Sequence, residues 1–283
     1  MALRNLLCHV DTTQACDARM DTAVQLASRE GAHLIAFYGA GAVLLPGWAD
    51  VPGQYLADQR RREMARGEAV LGRFRDKAER AGISYETRIS EVPVDSVGDE
   101  VALHARYADL AILGQANPED LPIGGRHIVE TVVMGCGRPV LVVPYIGAPE
   151  DQGGIRLGQN IMVSWDASRE ATRAVNDALP FLEKAKSAQV VVLNANTTER
   201  RHGEEPGADI ALHLARHDVK VDVQHYNTGD LGTGDAMLSR LSDANCDMLV
   251  MGAYGHSRWR ELVMGGATRT ILEHMTVPVF MSH

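Results

Sequence analysis

The chain has 283 residues, of which 45% are hydrophobic and 23% charged, a balance that fits about two globular domains and excludes wholesale disorder. A net charge of −9 at pH 7 and a pI of about 5.6 exclude general affinity for nucleic acid or anionic membranes, which recruit basic surfaces. Met1–His9 shows no charged-then-apolar signal pattern, and no apolar run nears the roughly 18 residues of a membrane span. Cys8, Cys16, Cys136 and Cys246 form no Cys-x-x-Cys pair, so reduced, buried thiols in a cytoplasmic protein are expected.

In chain order, the first strand ends Leu6-Leu7-Cys8-His9-Val10-Asp11. Tyr38-Gly39-Ala40-Gly41 follows a strand in the manner of a dinucleotide loop, but Leu44 holds the third glycine position and the segment reads as an ordinary loop. A later strand, Ala108–Gly114, leads into Gly114-Gln-Ala-Asn117-Pro118-Glu119-Asp120-Leu-Pro122-Ile-Gly124-Gly125, and Pro139–Val143 follows. The turn-rich, apolar-poor stretch 147–157 reads as a linker between domains at 1–146 and 158–283.

Beyond the linker the same order recurs. Leu6–Asp11 matches Ile161–Asp166, Ala108–Gly114 matches Cys246–Gly252, and Pro139–Val143 matches Pro278–Ser282, at offsets of 155, 138 and 139. Three matches in one order indicate a duplication whose first copy is longer around Gly39–Trp48 and Gln59–Glu63. In the second copy, strands are expected at Asn160–Trp165, Gln189–Asn194, Val219–His225, Met248–Met251 and Val279–Ser282. A helix with Ala171, Ala174, Val175, Ala178, Leu179 and Leu182 on one face, capped by Ser168, separates the first two. The alternation predicts an α/β fold: two tandem, doubly wound, five-stranded and mainly parallel sheets flanked by helices. Ligands of such sheets bind beyond the carboxyl ends of the strands, where the strand order reverses.

One segment sits at that place with suitable chemistry. Gly252-Ala-Tyr-Gly255-His256-Ser-Arg258-Trp259-Arg260, followed by Gly265-Gly266-Ala267-Thr268 and a helix, allows close backbone approach to a ligand. The helix start would aim free N–H groups at an anion, and Arg258 and Arg260 could add positive charge beside a polyphosphate. His256 reads equally as a phosphate contact or an exposed loop residue, and Trp259 as a cover for the loop or an interface residue. In the first copy Asn117 replaces the second glycine, Pro118 and Pro122 remove N–H donors, and Glu119 and Asp120 add negative charge, so phosphate binding is not expected there. A diverged small-molecule pocket and a purely structural copy both stay open for that half. Gly229–Gly234 reads as a helix entry, and His213 and His217, four apart on a helix, lack an evident third metal ligand.

The Gly-x2-Gly-x9-Gly pattern at Gly252, Gly255 and Gly265, strand-ending Asp11 and Asp166, and the Pro-Val final strands together resemble the universal stress proteins in their tandem, two-domain form. The resemblance implies an adenine nucleotide, ATP with Mg²⁺, held by the second copy and serving as a switch or sensor. Asp166 would lie at the nucleoside end, Ala195 at the adenine edge, and Gly252, Gly255, His256, Arg258, Gly265, Gly266, Ala267 and Thr268 around the phosphates. Gly266 stands where nucleotide-binding members carry Ser or Thr, a hydroxyl that Thr268 could replace. The resemblance further implies antiparallel pairing of Val140–Val143 with Val279–Ser282, and leaves homodimer formation open. No residue is placed as a general base, so at most slow ATP hydrolysis is expected. The rival reading is a scaffold that binds no nucleotide.

Overall fold

The computed structural model describes residues 2–42, 53–195, 205–254 and 266–283. They form two compact units, one of Leu3–Arg138 and the other containing Pro139–His283. In the first, β1 (Asn5–Val10), α1 (Cys16–Glu30), β2 (His33–Ala42), α2 (Gly53–Ala81), β3 (Tyr85–Pro93), α3 (Val97–Ala105), β4 (Leu110–Gly114) and α4 (Ile128–Gly135) alternate. The strands run parallel in the order β4-β1-β2-β3. Leu6, Leu7, Cys8 and Val10 are all buried, as expected of a strand covered on both faces.

The second unit opens with β5 (Val140–Val143), followed by a small antiparallel pair, β6 (Glu150–Asp151) and β7 (Gly154–Ile155). Then come β8 (Asn160–Ser164), α5 (Arg169–Asp177), α6 (Leu179–Leu182), β9 (Ser187–Leu193), α7 (Ala208–Ala215), β10 (Val221–Tyr226), α8 (Thr233–Asp243), β11 (Met248–Gly252), α9 (Gly266–His274) and β12 (Val279–Ser282). Its sheet runs β10-β9-β8-β11-β12-β5, parallel except for the last pair. There β5 lies antiparallel on β12, with Leu141 opposite Phe280. The pairing expected of Val140–Val143 and Val279–Ser282 is therefore present, and it places β5 with the second unit rather than with the strands that precede it in the chain. The stretch 147–157 also lies within this unit.

The duplication is visible in equivalent hydrogen bonds. Asp109, just ahead of β4, accepts the N–H groups of Arg4 and Asn5 at 2.8 and 2.9 Å, pinning the start of β1. Asp247, just ahead of β11, accepts those of Gln159 at 2.9 Å and Asn160 at 3.2 Å, pinning the start of β8. Asp247 is wholly buried, and Arg156 lies 3.6 Å away to balance its charge. No helix among the described residues is long and apolar enough to cross a membrane.

Candidate functional site

Both sheets reverse their strand order between the first and fourth strands of the repeat, β1 and β4 in one unit and β8 and β11 in the other. A crevice opens at the carboxyl ends of such a strand pair, because the connections leave it toward opposite sides. The residues just after β8, β9 and β11 and the start of α9 are brought to that end of the second sheet.

Asp166 is half-buried beyond β8, and its Oδ1 accepts the Ser168 N–H at 3.0 Å. Ser168 is the N-cap of α5, as expected, its Oγ accepting the Ala171 N–H at 3.0 Å. Ala195 lies two residues beyond β9. The residue before it, Asn194, has a left-handed φ of +52°, which asparagine tolerates. Its side chain grips the end of β10: Oδ1 accepts the Thr228 N–H at 2.9 Å, and Nδ2 donates to Thr228 Oγ1 at 2.9 Å. This clamp was missed in the sequence, where an asparagine after a strand reads only as a turn former.

Gly252 ends β11 against the first turn of α5. A Cβ there would stand 2.4 Å from the Ala171 nitrogen and 2.6 Å from the Glu170 carbonyl carbon, so only glycine fits. Gly266 begins α9 and is exposed, with none of the described residues within 4 Å of the position of a Cβ. Ala267 follows in the same first turn. Thr268 is 4% exposed on the packed side of the helix, while the open position in that turn belongs to Gly266. Gly255, His256, Arg258 and Gly265 lie outside the described residues, as do Trp259 and Arg260.

The corresponding crevice of the first unit is filled by its own side chains. Arg19 reaches from α1 over the end of β4, and a Cβ on Gly114 would stand 1.8 Å from its Nη1. Its Nη2 donates to Asp11 Oδ2 at 2.7 Å, both side chains being almost completely buried. Oδ1 of Asp11 accepts the Thr13 N–H at 2.9 Å and also the Thr13 hydroxyl. Burial pushes the Asp11 carboxyl up, but the Arg19 guanidinium, His9 and the Thr13 hydrogen bonds outweigh it and hold the carboxyl at about 2. Burial pushes His9 down to about 4, against the pull of Asp11. Burial disfavours the charged form of Arg19, yet Asp11 more than restores it, and the guanidinium is held above its ordinary value. Asp11 is thus committed to an internal ion pair. Arg19 was missed in the sequence, although one sign was present: a charged residue on the α1 stripe that buries Cys16, Met20 and Ala23.

Other sequence features resolve into packing. Gly234 lets α8 approach α9, since a Cβ there would stand 2.6 Å from Thr270 Cβ. The His213 and His217 rings lie 4.9 Å apart, with Glu183 3.7 Å from His217. Among the described residues no group of three His, Cys, Asp or Glu side chains converges on a metal position. The four cysteines are buried and form no disulfide among the described residues.

Fold and crevice define the class first: tandem doubly wound α/β domains with a ligand crevice at a strand-order reversal. Residues 158–283, the second domain, match the family model described as Universal stress protein family. Across nearly the whole chain the fold is similar to that of several solved structures. A universal stress protein from Archaeoglobus fulgidus superposes with a TM-score of 0.73 at 16% identity, covering 98% of this chain and 95% of that one. A functionally unknown protein from Pseudomonas aeruginosa superposes at 0.59 and 14% identity, over 99% and 92% of the two chains. A putative universal stress protein from Pseudomonas aeruginosa gives 0.58 and 13%, over 99% and 93%. No curated protein matches the chain.

Proposed function

We propose that the second domain binds an adenine nucleotide, ATP accompanied by Mg²⁺, and that this cytoplasmic protein uses the bound nucleotide as a switch or sensor. The observation that carries the reading is the first turn of α9, which begins at the carboxyl edge of the sheet with Gly266 exposed and none of the described residues within 4 Å of a Cβ placed on it. Backbone N–H groups there suit a phosphate, since the helix start leaves them unpaired and places its positive dipole end toward the anion. Gly266 and Ala267 would supply these donors, with Gly255 and Gly265 of the adjoining loop. Asp166 would accept from the ribose hydroxyls, and the Ala195 backbone, held by the Asn194–Thr228 clamp, would meet the adenine edge. Mg²⁺ would be carried chiefly by the phosphates, with the Asp166 carboxylate as a further ligand. These roles rest on the family resemblance together with the placement of the residues at one end of the sheet.

Denaturing the purified protein and chromatographing the released small molecules tests the reading, with titration of ATP–Mg²⁺ into stripped protein as the companion measurement. About one adenine nucleotide per chain, or saturable binding lost in Asp166→Ala, supports it. No released nucleotide and no binding at millimolar ATP–Mg²⁺ would defeat it in favour of a nucleotide-free scaffold, the reading that the missing hydroxyl at Gly266 favours.

A further inference from the structure

The crevice of the first domain contains an anion that the chain itself supplies. The turn between β1 and α1 presents the Gln14 N–H ahead of α1, a helix of 15 residues. That N–H donates to Oδ2 of Asp120 at 2.7 Å, although Asp120 lies 106 positions away on the loop between β4 and α4. Arg19, Thr13 and Asp120 line the same crevice. Arg19 is 3% exposed there, and its buried Nε has no hydrogen-bond partner among the described residues. Asp11 neutralises the guanidinium through Nη2, so the crevice has an unused donor on a buried cation and a backbone N–H already holding a carboxylate.

The loop that brings Asp120 is anchored at several points. Asn117 and Asp120 form an antiparallel bridge, and Asn117 Oδ1 accepts the Glu119 N–H at 3.0 Å. Farther along, Ile123 lies so close over the end of β2 that a Cβ on Gly41 would stand 2.3 Å from its Cγ2. One loop therefore puts Asp120 in the strand-end crevice and Ile123 over the neighbouring end of β2. A carboxylate set against an N–H ahead of a helix, in a crevice that a buried guanidinium also lines, has the surroundings that a bound oxyanion takes.

We propose that the first domain's crevice is an oxyanion site occupied by an internal ligand, the Asp120 carboxylate, which the β4–α4 loop delivers. The domain is thereby held in a ligand-closed state without a ligand. The proposal is independent of what the second domain binds.

The test is hydrogen–deuterium exchange on the full chain, read on peptides covering residues 12–16 and 117–125. Wild type, Asp120→Ala and Asp120→Ser are compared in chloride and in inorganic phosphate at matched ionic strength. In chloride both variants should exchange roughly tenfold or more faster than wild type in these peptides, the scale of one lost charge-assisted hydrogen bond. Phosphate should slow exchange in the variants and leave wild type unchanged, because only the shortened side chains leave the position open. Should Asp120→Ala exchange throughout the domain, Asp120→Ser, which keeps a polar side chain, decides alone. Wild-type exchange in Asp120→Ser, no response of it to phosphate, or an equal response in wild type overturns the proposal.

Discussion

The end of β11 and the first turn of α5 meet through backbone alone, for a Cβ on Gly252 would stand 2.4 Å from the Ala171 nitrogen. This glycine is required before any ligand arrives. Gly252→Ala should destabilise the second domain by about 2 kcal/mol, the usual scale of overpacking against a rigid neighbour. Urea unfolding of nucleotide-free protein measures it. Unchanged stability would show that α5 gives way freely and that the close approach has no structural cost.

Gly266 offers the opposite case, because a Cβ there would meet none of the described residues within 4 Å. Gly266→Ser should fold normally and bind ATP–Mg²⁺ about tenfold more tightly, as one added hydrogen bond to a charged phosphate would give. Calorimetric titration beside wild type checks this. Equal affinity would mean that the phosphate lies out of reach of that turn.

Arg19 and Asp11 are buried as a pair, so removing one partner leaves an uncompensated charge. Arg19→Met should cost about 3–5 kcal/mol, whereas Arg19→Met with Asp11→Asn should recover much of that loss. Unfolding of the two single variants and the double variant closes the cycle. Additive losses would show that the two groups do not stabilise each other.

His9, held down at about 4 by burial against an ordinary 6.5, makes the first domain sensitive to mild acid. The unfolded chain takes up a proton below pH 6.5 while the folded one resists until about 4, so stability falls as pH drops through that window. Asp11, held at about 2 against 3.8, adds a second loss between those values, where the unfolded chain again binds the proton first. His9→Gln should remove the upper step, worth about 3 kcal/mol, and leave the lower one. Unfolding free energies of both proteins from pH 7.5 to 4.5 test this, and parallel curves would rule out His9 as the cause.

Much of the architecture was legible because it rests on local pattern. The apolar runs at Met248–Met251 and Val279–Ser282 are buried strands, and Ser168 caps α5 as its position before Ala171 and Ala174 suggested. The matched segments around Asp109 and Asp247 announced a repeat, though not why the carboxylates recur. Their partners, Asn5 and Asn160, lie 104 and 87 positions away, and only folding shows that each Asp anchors the strand beside it.

The candidate site divides along the same line. Glycine spacing and a following helix marked the end of the second sheet where a phosphate could sit, because glycine tolerance and helix polarity are properties of the chain itself. Distance between segments was not contained in that pattern. The contact that makes Gly252 a packing residue, the pairing of β5 with β12, and the closure of the first crevice by Arg19 and Asp120 all join residues far apart in the chain. Sequence alone pointed to two copies of one strand–helix alternation and, in the first, to Asn117 in place of the second loop glycine with Pro118 and Pro122 beside it. Tertiary structure decided what stands in that crevice: a buried ion pair and a carboxylate-bearing loop, whose partners become neighbours only when β1, α1 and β4 pack together.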